Sequence, residues 1–379
     1  MNQMSFVAPE PRPAAVPMAF SGGRGEFRRL VSRGAGLELI TAGFYRFWLA
    51  TDIRRHLWSY TSLDGDAFEY TGRARELLIG FLFALAILVP IYVVYFLVGL
   101  EAERLKAFAS IPLFLFFYLF GQFAIYRARR YRLTRTVWRG VRFWMAGSGL
   151  GYAGRAALWG LLMALTLGLA LPWREAALER YKMRHTYYGD LQVSFEGNGW
   201  EFFKAGWWLW LLAPVALMVF PLAPFVYGAF KAVEWRWWLS GIRFGGLSLT
   251  STLRRSALIG LYWKVIGWMI LIGLVFAAYL FASATLAARI SGVPFDHLFG
   301  KQMSIESIPF LALTVVGYLA YVLAINVVIR VYLLRDLWVR LLVSVDVQGL
   351  QAVDNVAARG ELSNALGEGF ADGLDVAGF

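Results

Sequence analysis

The chain contains no cysteine, which excludes disulfides, thiolate nucleophiles and cysteine-ligated zinc or iron–sulfur centres. Charge is scarce too: 16% of its 379 residues are Asp, Glu, Lys or Arg, against about 25% in an ordinary soluble domain. Histidine is limited to His56, His185 and His297, none with a second ligand-type residue at helical spacing, so no metal site and no cofactor is implied. No phosphate-binding glycine loop, nucleophile elbow or metalloprotease helix is written in the chain; SGGRG at Ser21 is too short and follows no predicted strand. An enzyme is not expected. The first eighteen residues hold Pro9, Pro11, Pro13 and Pro17 without an apolar stretch, and read as a disordered tail with no cleavable signal.

What the chain has in abundance is apolar sequence, 59% of all residues. Six uncharged runs stand out: Leu77–Leu100, Ala107–Tyr126, Ala156–Trp173, Ala205–Phe230, Val265–Ala288 and Ser307–Ile329. A helix needs about 20 apolar residues to cross a hydrocarbon core of about 30 Å, because backbone polar groups cannot be left unpaired in lipid. Five runs meet that length and Ala156–Trp173 is marginal. Pro214, Pro221 and Pro224 leave Ala205–Phe230 open between one bent span and a hairpin. The expected fold is an all-α integral membrane protein with about six transmembrane helices, seven if the segment around Leu37–Trp48 also crosses.

The net charge of +12 comes from arginines set directly beside these runs and interleaved with Trp and Tyr. That is the pattern of a membrane interface, where cationic groups meet anionic lipid and aromatic rings sit at headgroup depth; it is not a basic face for nucleic acid. Tyr126–Ala156 carries eight arginines and no acid, and Lys231–Arg255 five basic residues against Glu234 alone, so both are expected on the cytoplasmic side. Arg330, Arg335 and Arg340 extend the same bias, and the acidic, Gly-rich stretch from Asp346 is expected to be a disordered cytoplasmic tail.

Laid on itself at a shift of 125, the chain matches Thr41, Gly43, Trp48, Arg55, Thr61, Gly72 and Glu76 to Thr166, Gly168, Trp173, Arg180, Thr186, Gly197 and Glu201 without a gap. The expected organisation is a tail (1–19), two related membrane repeats (20–155 and 156–345) joined through short amphipathic or turn-rich cytoplasmic segments, and the acidic tail (346–379). In TSLDGDAFEYTG, Asp64-Gly65 signals a tight turn and Ala67–Tyr70 a short strand. Asp64, Asp66 and Glu69 are therefore read as a hydrated turn. Two similar basic stretches, LTRTVWRGVRFWM from Leu133 and WLSGIRFG from Trp238, follow hydrophobic runs. Arginine offers a planar fork of donors to phosphate, which makes Arg135, Trp138, Arg139, Arg142, Arg236, Trp238 and Arg243 candidate contacts for an anionic headgroup or solute. The competing reading is a plain surface anchor. Lys264 is expected to snorkel, and Gln122 and Asn326 to hydrogen-bond between helices.

The runs FSGGRGEFRRL, TAGFYRFW, RRHLWSYTSLDGDAFEYTG with the span after it, and YRLTRTVWRGVRF resemble the YjgN-like family of bacterial inner-membrane proteins, a domain of unknown function numbered 898. The resemblance covers about Phe20 to about Leu350, departs at Phe27–Gly36 where charges replace part of a hydrophobic segment, and brings no activity with it. It implies a multi-spanning protein of the bacterial cytoplasmic membrane. With the internal match and the proline-broken run, the expected role is a transporter or channel-like protein for an anionic solute or lipid. The alternative is a non-enzymatic envelope scaffold that binds anionic phospholipid and, through its tail, a protein partner. Association with a second copy is left open.

Overall fold

The computed structural model describes residues 15–101, 110–292 and 308–360, with Leu362, Gly369 and Asp372. Asp64 and Gly65 both take positive φ (54° and 81°), the conformation a two-residue turn needs to match the twist of its strands, and they join β2 (Thr61–Leu63) to β3 (Asp66–Tyr70). The same device recurs at Arg139-Gly140, between β4 (Thr136–Trp138) and β5 (Val141–Met145). Two further hairpins pair β6 (Thr186–Tyr188) with β7 (Leu191–Phe195), and β8 (Ile242–Phe244) with β9 (Leu247–Ser251). With β1 (Val16–Phe20) and β10 (Val345–Gln348) these strands close into an antiparallel barrel in the order β1-β10-β9-β8-β7-β6-β5-β4-β3-β2.

A helical hairpin leaves and re-enters the barrel between each pair of hairpin turns. α1 (Arg24–Ile40) and α2 (Arg46–Ser59) come first, then α3 (Ala74–Glu101) with α4 (Ser110–Thr134), and α5 (Gly149–Leu165) with α6 (Leu171–Arg184). α7 (Gly199–Met218) and α8 (Ala223–Gly241) follow, then α9 (Ile259–Ser291) with α10 (Ile308–Val328), which runs through a π-helical turn at Ile329–Arg335 into α11 (Asp336–Val343). The transition from helix to strand is stitched the same way several times: the hydroxyls of Thr61, Thr136 and Thr186 donate to the carbonyls four residues back, at Leu57, Arg132 and Lys182. One backbone bond then closes each strand end, from Ser21 to Tyr60, Thr71 to Arg135, Ala146 to His185, Glu196 to Gly241 and Thr252 to Ser344. The last unit meets the first through Arg24–Asp336 (2.6 Å), Arg330–Glu38 (3.0 Å) and the stacked rings of Trp58 and Trp338 (4.8 Å).

The all-α expectation with six spans in two halves is therefore wrong: five strand–helix–helix–strand units surround a closed ten-stranded barrel. Among the described residues three helices are long and apolar enough to cross a membrane, Ala74–Phe96, Ile259–Ile290 and Phe310–Val343. The marginal run Ala156–Trp173 is a hairpin, and Ala205–Phe230, left open between one span and a hairpin, is a hairpin too. Ala156–Trp173 turns at Leu167 and Gly168, both at positive φ, and Ala205–Phe230 reverses in a short 3-10 segment at Phe220–Leu222. Leu37–Trp48 is likewise a hairpin tip, turning at Ala42-Gly43. A shift of 125 carries α1, α2, β2 and β3 onto α5, α6, β6 and β7 with identical lengths.

The barrel interior is apolar and filled. Val347, Val345, Leu63, Trp138, Tyr188 and Leu247 are buried there, with Met18, Phe68, Phe143 and Phe244 packed against them. Each aliphatic side chain of this kind contributes roughly 1.5–3 kcal/mol by leaving water. The stretch expected to begin a disordered tail instead supplies β10 and then a strap across the turn end of the barrel. Val353 is buried in the core, Ala357 N–H donates to Asp190 Oδ1 (3.0 Å) and Asp190 N–H to the Ala357 carbonyl (3.1 Å).

Candidate functional site

The first basic stretch is spent on the fold. Arg139 sits in the β4–β5 turn at φ 47° and is clamped by Asp66 (2.5 Å), Asp64 (2.7 Å) and, from the strap, Asp354 (3.4 Å). The hydrogen bond that Arg139 Nε donates to Asp66 raises its affinity for its proton, burial acting against it. The acidic turn of the sequence reading is thus an arginine receptor. Arg135 is buried against Glu76 (2.9 Å), with its guanidinium over the Tyr131 ring. Trp138 lies inside the barrel, its Nε1 donating to the Asp66 carbonyl (3.3 Å). Arg142 donates to the Thr134 carbonyl and to Thr71 Oγ1; burial first, and then the charge of Arg135, hold it below the usual arginine range.

The second stretch is placed differently. The shared Arg-Phe pair falls on β5 in one stretch and on β8 in the other, with Phe143 and Phe244 meeting edge-on at 6.3 Å across the barrel. Trp238 packs on the barrel core beside Trp235. Arg236 and Arg243 instead open onto a cleft of about 510 Å³ at the foot of the α7–α8 hairpin. Glu196, Glu201, Trp237, Ser240 and Arg255 complete its polar lining, and Gly241 forms part of its floor. Arg243 is held by Glu196 (2.9 Å) and by the Ser240 carbonyl (2.7 Å). Arg236 and Arg255 are exposed, and neither has an ion pair among the described residues.

Gly241 is dictated by its surroundings: a Cβ there would lie 2.5 Å from the Phe195 ring and 3.1 Å from the Gly197 nitrogen. On another face of α7, outside the cleft lining, stands a group of aromatic side chains. Trp200 and Trp207 are about half exposed, Trp200 stacks on Phe203 at 5.5 Å, and Lys204 lies over the Trp200 ring. Sequence reasoning named Arg236 and Arg243 but missed Glu196, Glu201 and Arg255, which come from the β7–α7 joint, from α7 and from the segment between β9 and α9.

A second cleft, about 470 Å³, is lined by Asp52, Arg55, His56, Glu69 and Tyr70. Burial raises the Asp52 pKa against the pull of Arg55. Behind it, buried Arg54 donates to Tyr70 Oη (3.2 Å) and pairs with Asp372, which Arg132 also approaches at 3.5 Å. Burial disfavours the Arg54 charge, but the carboxylate of Asp372 outweighs it and raises the pKa. His185 bonds the Tyr181 carbonyl at 2.7 Å, Lys264 lies over the Tyr332 ring, and His297 lies outside the described residues.

No curated protein and no solved structure matches the chain. A family match does, over residues 15–373, from the first barrel strand to just past Asp372. The span of that match takes in all ten strands and every helical hairpin, and the chain accordingly belongs to the family described as bacterial protein of unknown function (DUF898).

Proposed function

We propose that this protein is a membrane-embedded binding protein that holds the phosphate of a phospholipid headgroup in the cleft of Arg236, Arg243 and Arg255. The observation that carries this reading is the pair Arg236 and Arg255, two guanidiniums without ion-pair partners among the described residues, converging on a polar cleft at the foot of a helix whose other face carries exposed tryptophans. Tryptophan at such positions marks headgroup depth, and guanidinium forks match phosphate oxygens. The acyl chains then lie along the apolar outer face of α7, where Leu211, Val215 and Met218 are exposed.

The barrel sits on the cytoplasmic face of a bacterial inner membrane in this reading, because its helix ends carry the arginines. Every helical hairpin begins and ends at the barrel, so crossings come in pairs: α3 with α4, and α9 with α10. Conduction along the barrel axis is disfavoured by its filled interior and by the strap across its turn end. A tail free to recruit a partner is disfavoured by Asp372, which is engaged internally.

The test is lipid retention. The full-length protein, purified in mild detergent with phosphatidylglycerol, is compared with the Arg236→Ala, Arg255→Ala double variant by native mass spectrometry. A fall of about tenfold in bound lipid is expected, of the size produced by losing about 1.4 kcal/mol of charge-assisted hydrogen bonding. Equal retention would sink the assignment.

A further inference from the structure

The cleft reading above leaves the identity of the headgroup open, and the regularity of the barrel narrows it. The backbone bonds Ser21 to Tyr60, Thr71 to Arg135 and Glu196 to Gly241 are equivalent joints of three units. Five residues after each donor stands a glutamate in the first turn of the following helix: Glu26 in α1, Glu76 in α3 and Glu201 in α7. In the first two units the side chain of the acceptor residue reaches back and donates to that glutamate. Tyr60 Oη bonds Glu26 Oε1 at 3.0 Å, and Arg135 Nε bonds Glu76 Oε2 at 3.0 Å. In the fourth unit, that of α7 and α8, the acceptor is Gly241, which has no side chain to send. Glu201 there faces the 510 Å³ cleft that it shares with Arg236 and Arg255.

The missing group is therefore a hydrogen-bond donor, and the neighbouring arginines call for an anion. We propose that the cleft selects a phospholipid whose headgroup carries a primary ammonium beside its phosphate, the ammonium donating to Glu201 in the place of Tyr60 or Arg135 and the phosphate lying on Arg236 and Arg255. A choline headgroup has the same net charge but no N–H to donate. A glycerol headgroup offers hydroxyls but no cation for the carboxylate, and charge-assisted bonds are about twice as strong as neutral ones. The inference rests on the headgroup reading of this cleft, and its own content is the role of Glu201.

The full-length protein in detergent is given an equimolar mixture of phosphatidylethanolamine, phosphatidylcholine and phosphatidylglycerol, and bound lipid is read by native mass spectrometry. Phosphatidylethanolamine should be retained at least about fivefold over phosphatidylcholine, a preference of the order of one charge-assisted hydrogen bond. Glu201→Gln should bring these two lipids level, by lowering retention of phosphatidylethanolamine to that of phosphatidylcholine. Glu201 is exposed at a helix start, so the variant is expected to fold, and a thermal melt checks this. An intact protein without the preference, or a Glu201→Gln protein that keeps it, overturns the inference. The Arg236→Ala, Arg255→Ala protein separates the two proposals: unchanged retention of all three lipids there defeats the cleft reading itself.

Discussion

At the scale of single residues, His56 shows how a polar group can be fixed by packing alone. Its ring lies against Phe27 (5.3 Å between centroids) and Tyr60 (4.6 Å), and its Nε2 has no hydrogen-bond partner among the described residues. Burial lowers its pKa from 6.5, Glu26 acting against the shift and Arg335 with it. A lowered folded-state pKa means that the unfolded chain takes the proton first as the pH falls. Stability present above about pH 6.5 is therefore lost as the pH drops through the window below it. His56→Phe keeps the ring and removes the titration. The melting temperature of the intact protein is expected to fall more between pH 7.5 and pH 5.5 than that of the variant does. Parallel melting curves for the two proteins would show that His56 is not the titrating group.

At the scale of elements, helix length decides depth. α5 has 17 residues, about 25 Å by helical rise, and α6 only 14, about 21 Å. Both fall short of the membrane core. From Arg155, over the Tyr181 ring near the start of α5, to Leu165 is about 15 Å, half of a core of about 30 Å. The tip is nonetheless strongly apolar: Leu158, Leu165 and Leu167 are 72%, 74% and 94% exposed. The α5–α6 hairpin should dip into one leaflet and stop near the midplane. The absence of cysteine makes the test direct, with Leu167→Cys as the single thiol in liposome-reconstituted protein. It should resist a membrane-impermeant maleimide from both sides. Labelling from the side opposite the barrel would mean a full crossing, and labelling from the barrel side a hairpin that never enters the lipid. The corresponding α1–α2 tip exposes Ile40 and Phe44 but carries Arg33, Glu38 and Arg46 on its flanks, which favours a shallower position.

At the scale of the molecule, closure of the barrel imposes parity. Because β1 and β10 are hydrogen-bonded neighbours, with Val16 opposite Val347, the chain returns to where it started whatever its hairpins do. The beginning of β1 and the strap after β10 must then lie on one side of the membrane. Reporter domains active only in the cytoplasm, fused at the start of the chain or inserted at the β4–β5 turn, should both be active. One active and one silent would contradict a barrel lying wholly on one face.

Much of this was legible in the chain. Six apolar runs, the arginine bias beside them, the Asp64-Gly65 turn and the offset of 125 are local or additive properties, and such properties survive in one dimension. The barrel is not of that kind. Its strands are three to five residues long, too short for a period of two to register, and each pairs across a helical hairpin of variable length. Thr61, Thr136 and Thr186 open equivalent strands but stand 75 and then 50 residues apart, so an ungapped comparison at 125 steps over every second unit. The arginines likewise look alike in sequence. Arg139 is consumed by three aspartates, one of them from the strap, and Arg135 by Glu76, while Arg236 and Arg255 face an open cleft. Sequence alone determined that this chain carries runs long and apolar enough to enter a membrane. Tertiary structure decided which charges are already paired, because pairing depends on groups that only barrel closure brings within a few ångströms of one another.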